Sequence, residues 1–101
     1  MAEPVHRIEI ARRAERDLRK LPRQGVGRVR DKLAEFVAGA ENVDVKTLQG
    51  RSPWLRLRVG ELRVLLRPLG PTESADRKPG WLVARVIARR ELERAIASLD
   101  P

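Results

Sequence analysis

The chain has no cysteine, no tyrosine, one histidine, and aromatic residues at only 3% of its 101 positions. Without cysteine there are no disulfides, no thiolate nucleophile and no sulfur ligands for a metal. The single histidine, His6, shares its strand face with Ile8 and Ile10, which marks a structural position. A metal centre needs more than one such ligand, and no acidic cluster with ligand spacing supplies the rest. No cofactor is implied. With so few rings, the core must be built from Leu, Val, Ile and Ala. No apolar run approaches the ~20 residues of a membrane span. The N-terminal MAEPVHRIEI lacks the long apolar stretch of a secretory signal. A cytoplasmic protein with no membrane role is the expectation, and the basic helices also lack the Trp, Phe and Leu face of interfacial binders.

What the chain has is positive charge. Lys and Arg number 22 against 14 Asp and Glu, a formal charge of +8. That balance favours a nucleic acid, an anionic membrane surface or an acidic protein as partner. The length fits one domain, residues 1–101. The most informative stretch is Trp54 to Arg67, WLRLRVGELRVLLR. It reads as two strands around a Gly60-Glu61 turn, where Gly supplies the positive φ at the first turn position. This turn sets Arg58 opposite Arg63, Leu57 opposite Val64 and Arg56 opposite Leu65. Alternation then puts Leu55, Leu57, Val59, Leu62, Val64 and Leu66 on one face, a core. Trp54, Arg56, Arg58, Arg63, Leu65 and Arg67 take the other. Like charges directly opposite destabilise a sheet, by up to roughly 1 kcal/mol per pair. Guanidinium stays protonated, so relief must come from an anion: a phosphate backbone or a partner's carboxylates. Trp54 could stack on a base, although packing is the commoner role of a tryptophan at a sheet edge.

Around the hairpin, the pattern predicts a strand over Val5–Ile10 and a helix over Ala11–Leu21, with Ala11, Ala14, Leu18 and Leu21 at helical spacing. Pro22 ends that helix. A second runs from Arg23 or Gly25 to Ala40, with Val26, Val29, Leu33, Phe36 and Val37 as its apolar stripe. Glu41–Pro53 reads as a loop or irregular edge that delivers Lys46 and Arg51 close to the hairpin. Gly70–Gly80, GPTESADRKPG, reads as a mobile, exposed connection. Trp81–Ala88 is nearly continuously apolar, the mark of a central strand. Arg89–Leu99 reads as a short amphipathic helix. The expected fold is α+β: strand, helix, helix, hairpin, strand and short C-terminal helix, with the helical hairpin on one face of an antiparallel sheet.

Four motifs carry a resemblance. They are A-x-x-D-L-R-K-L-P at Ala14–Pro22, L-Q-G at Leu48–Gly50, L-R-L-R-V-G-E-L-R-V at Leu55–Val64 and V-I-A-R-R-E-L at Val86–Leu92. In these the chain resembles the RelE/ParE superfamily of bacterial toxins, and the RelE branch more closely. The resemblance implies the toxin of a type II toxin–antitoxin pair that cleaves messenger RNA in the ribosomal A site. The 2′-hydroxyl attacks the adjacent phosphate without a metal. Such chemistry needs positive charge around the phosphorane, a base and an acid. The family's cations match Arg56, Arg58, Arg63 and Arg89, and Lys46, Arg51, Arg67 and Arg90 are further candidate RNA contacts. The chain departs from the family in having no tyrosine, and Ala88 stands where some members place a histidine. Glu93 or Glu91 is then the candidate base, since arginine is a poor one. The partners implied are a cognate antitoxin protein and messenger RNA, with operator DNA reached only through the antitoxin complex. Two alternatives stay open: a ParE-like inhibitor of DNA gyrase, and a decayed toxin that only binds its antitoxin.

Overall fold

Pro22 decides the first third of the chain. It removes a backbone donor and serves as the N-terminal cap residue of the helix after it. In the computed structural model, which describes residues 7–70, 73 and 79–99, two helices flank it: α1, Arg12–Arg19, and α2, Arg23–Val37. Strand β1, Arg7–Ile10, precedes them. After α2 come β2 (Val45–Thr47), β3 (Leu55–Val59), β4 (Leu62–Leu69) and β5 (Gly80–Ala88). One 3-10 turn, Arg89–Glu91, leads into the six-residue α3, Leu92–Ala97. His6, at the start of the predicted first strand, and most of the Gly70–Gly80 connection lie outside the described residues.

The five strands form one sheet in the order β1-β5-β4-β3-β2. The hairpin register is the one the Gly60-Glu61 turn predicts: Arg58 faces Arg63, Leu57 faces Val64 and Arg56 faces Leu65. Gly60 has φ of 59°. β5 is an interior strand between β1 and β4, in keeping with its apolar run. Two expectations need correction. The sheet is mixed rather than antiparallel, because β1 runs parallel to β5. Direction between strands so distant in the chain is set by the crossover path and leaves no local trace. The Glu41–Pro53 segment also contains a strand. β2 has only three residues, too few to show a period, and it exists by pairing along β3.

Each face of the sheet has its own core. On one, Leu57, Val59, Val64, Leu66, Val83 and Val86 pack with Ala14, Val29 and Leu33 of α1 and α2. Val83 and Val86 are three residues apart, an odd spacing for one face. A register shift opposite Leu65 and Leu66 allows it, since a bulge resets the alternation. On the other face Trp54, Leu65 and Ile87 pack with Leu48, Ala95 and Leu99. α3 therefore roofs part of the face that the arginines share. Trp54 is 5% exposed, so it packs, and the Arg67 guanidinium lies 5.9 Å from its ring centroid. An ion pair ties α1 to β5. Arg85 Nε donates to Asp17 at 2.9 Å, and the Val86 N–H donates to the same carboxylate at 2.9 Å.

Candidate functional site

The roof over the second face ends beside Arg63, whose cross-strand neighbour is Ile87. Arg63 is accordingly the one buried charged residue among those described, at 5% exposure. Its Nη1 donates to the Gly60 and Leu62 carbonyls, each at 2.9 Å. Its Nε is buried without a hydrogen-bond partner among the described residues. Unpaired donors of a buried cation are costly. Burial, and then the charges of Arg56, Arg58 and Arg89, push its guanidinium below the usual arginine value, while Glu61 pulls weakly the other way. Four of the candidate cations thus act on one place, and an anion there would relieve burial and repulsion together.

The strand register explains the convergence. Arg58 faces Arg63 across the hairpin, and Lys46 faces Arg56 across β2 and β3. Lys46 therefore joins the cluster through the strand that sequence periodicity missed. Arg89 arrives from the end of β5, where its N–H donates to the Glu61 carbonyl at 3.0 Å. Arg90 is exposed next to it, and the two line a shallow recess with Glu61 and Ala88. Arg51 stands apart, in the turn between Leu48 and Trp54. Arg67 lies on the same face but four residues further along β4, about 13 Å away at strand rise. Its guanidinium donates to Glu73 at 3.1 Å.

The carboxylates sort by their hydrogen bonds. Glu91 Oε2 accepts from the Ala88 N–H at 3.3 Å and so caps the 3-10 turn. Glu93 is exposed in the first turn of α3. Asp44, which sequence reading did not single out, is different. It precedes β2, and its carbonyl accepts from the Arg58 N–H at 2.9 Å. Its carboxylate lies 3.6 Å from Arg56 and 3.9 Å from Arg58. The signal that could have found it is D-x-K, which places Asp44 and Lys46 on one face of a short strand. No group of three metal-ligating side chains forms among the described residues. Among them, too, no helix is long and apolar enough to cross a membrane.

A five-stranded sheet with a helical pair on one face, and a basic cluster beside a short helix on the other, defines a small α+β domain of RelE type. The fold is that of the RelE chains in solved toxin–antitoxin complexes. The chain is similar to one in the RelB-RelE antitoxin–toxin complex from Methanococcus jannaschii, with a TM-score of 0.64 and 19% identity over 86% of this chain and 96% of that one. It is also similar to a chain of the archaeal RelE-RelB complex from Pyrococcus horikoshii OT3, with a TM-score of 0.59 and 22% identity over 83% and 94%. A third likeness is to the toxin–antitoxin complex RelBE2 from Mycobacterium tuberculosis, with a TM-score of 0.50 and 23% identity over 83% and 98%. No protein-family model and no curated protein matches the sequence.

Proposed function

We propose that this chain is the toxin of a type II toxin–antitoxin pair and an endoribonuclease that cuts messenger RNA in the ribosomal A site, in the cytoplasm, without a metal. The observation that carries this reading is the buried Arg63, with its unpartnered Nε and its ring of Arg56, Arg58 and Arg89. Charge develops on the phosphorane oxygens during 2′-hydroxyl attack, and preorganised cations in a poorly solvated place stabilise it most. Lys46, Arg90 and, further out, Arg51 and Arg67 would guide the strand. The likeness to chains solved with their antitoxins supports an antitoxin as partner. An apolar recess of about 310 Å³ between β1, α1 and α2, lined by Ile8, Ile10, Leu18, Val26, Val29 and Leu33, suits an apolar antitoxin helix. Operator DNA would be reached only through that complex.

One observation favours a second reading, a gyrase-binding toxin that cleaves nothing: the chain has no tyrosine to act as base. Induced expression followed by mapping of messenger RNA 5′ ends separates the two. Cuts inside codons with 5′-hydroxyl ends, lost in Arg63→Ala and in Arg63→Lys, are the expected result. Growth arrest with intact RNA would instead indicate gyrase, to be checked by DNA supercoiling.

A further inference from the structure

A ribonuclease built on arginines still needs a group to take the 2′-hydroxyl proton, because guanidinium stays charged. The described carboxylates differ in how fully their oxygens are used. Asp17 accepts from Arg85 Nε at 2.9 Å, from Arg85 Nη2 at 3.3 Å and from the Val86 N–H at 2.9 Å, which makes it a structural anchor. Glu73 is held by the Gly70 N–H and by Arg67, and Glu91 by the Ala88 N–H. Glu35 accepts from Lys32. Asp44 alone touches two members of the arginine cluster, and it does so beyond hydrogen-bonding distance, at 3.6 and 3.9 Å. Its side chain is 43% exposed. Both oxygens therefore keep lone pairs beside Arg56 and Arg58, two of the cations that surround Arg63.

Resting on the reading above, we propose that Asp44 is the proton acceptor of the cleavage reaction. The 2′-hydroxyl oxygen bonds to the adjacent phosphorus while its proton passes to an Asp44 oxygen. The P–O5′ bond breaks with its electron pair on the 5′ oxygen, which takes a proton from water. The hydroxide left behind recovers the proton from Asp44. The products are a 2′,3′-cyclic phosphate and a 5′-hydroxyl, and the carboxylate is restored. Backbone geometry supports the assignment. The bond from the Arg58 N–H to the Asp44 carbonyl continues the β2–β3 ladder by one position, so Asp44 keeps its register with the arginines.

The test is single-turnover cleavage of messenger RNA on programmed ribosomes by the full chain, with affinity for the ribosome–RNA complex measured alongside, for wild type, Asp44→Asn, Asp44→Glu and Glu93→Gln. A positioned base contributes about 10²–10⁴-fold, so Asp44→Asn should fall by at least about 100-fold. Its affinity for the ribosome–RNA complex should be equal or tighter, because a negative charge opposite the phosphate is gone. Asp44→Glu, which keeps a carboxylate, should regain part of the rate. An Asp44→Asn rate within about threefold of wild type overturns the proposal, and so does a slow variant whose affinity for the ribosome–RNA complex falls in step with its rate. A loss of about 100-fold or more in Glu93→Gln with Asp44→Asn near wild type instead moves the role to α3 and overturns it as well. A wild type that leaves RNA intact takes down the nuclease reading itself, an outcome distinct from each of these.

Discussion

Arg63 is an expensive way to fold a hairpin. Its charge is buried, one donor is unpaired, and its nearest charged neighbours are mostly cations. Because its folded-state pKa is depressed, the fold opposes the charged form. That penalty is present at every pH below the folded value and is relieved only as pH rises through it. Between pH 5 and 9 it is constant. Buried charges replaced by apolar residues of similar size are often neutral or stabilising. Arg63→Met should therefore melt at or above the wild-type temperature by the same margin at pH 5.5 and pH 8.5, yet lose toxicity. A clear fall in melting temperature would mean that the two carbonyl bonds of Arg63 outweigh its buried charge. Asp17–Arg85 is the opposite case, a half-buried pair whose hydrogen bonds are made, and it anchors α1 to β5.

The elements differ in how far their neighbours define them. The hairpin is locally determined, since alternation and a Gly turn settle its register. Other elements depend on contacts remote in sequence. β1 is held against β5 at a close approach, where a Cβ on Gly80 would run into the Arg7 backbone. Gly80→Ala should push β1 away and destabilise the domain by about 1–3 kcal/mol, the usual range for overpacking. Urea unfolding measures the loss, and faster amide exchange at Ile8 to Ile10 would place it at this edge; unchanged exchange there would argue that β1 tolerates the shift. α3 has only six residues, too short to persist alone. Leu65 and Ile87 beneath Ala95 and Leu99 hold it in place. The same packing keeps solvent from the margin where Arg63 sits.

For the whole molecule, under the proposed function, a formal charge of +8 favours association with RNA, with the cluster deciding how much of it is local. Log affinity for a single strand falls with log salt at about 0.7 per phosphate neutralised. If Arg56, Arg58, Arg63 and Lys46 engage about three phosphates, the slope should be near −2. Arg58→Gln should reduce its magnitude by about 0.7, while Arg28→Gln, in α2 away from the cluster, should leave it close to wild type. Filter-binding titrations between 50 and 300 mM salt, a range that spans the usual screening regime, read this directly. Equal slopes for both variants would mean that the charge acts as a diffuse field rather than through the site.

The sequence by itself determined the Trp54–Arg67 hairpin, its register, its two faces, the helices either side of Pro22 and the interior place of β5. These follow from periods of two and 3.6 residues and from turn and breaker chemistry, all of it local. It also placed Arg56, Arg58 and Arg63 together, because a hairpin's partners are near in the chain. Only the tertiary structure decided that β1 runs parallel, that Val45–Thr47 is a strand, and that α3 makes the arginine face half apolar. It also decided that Arg67 pairs with Glu73 four residues along the strand from Arg63, and that Asp44 rather than Glu93 lies against the arginines. Each of these depends on contacts between residues distant in sequence. Whether a charge is buried, and which other charges surround it, is a property of the assembled sheet rather than of any segment within it.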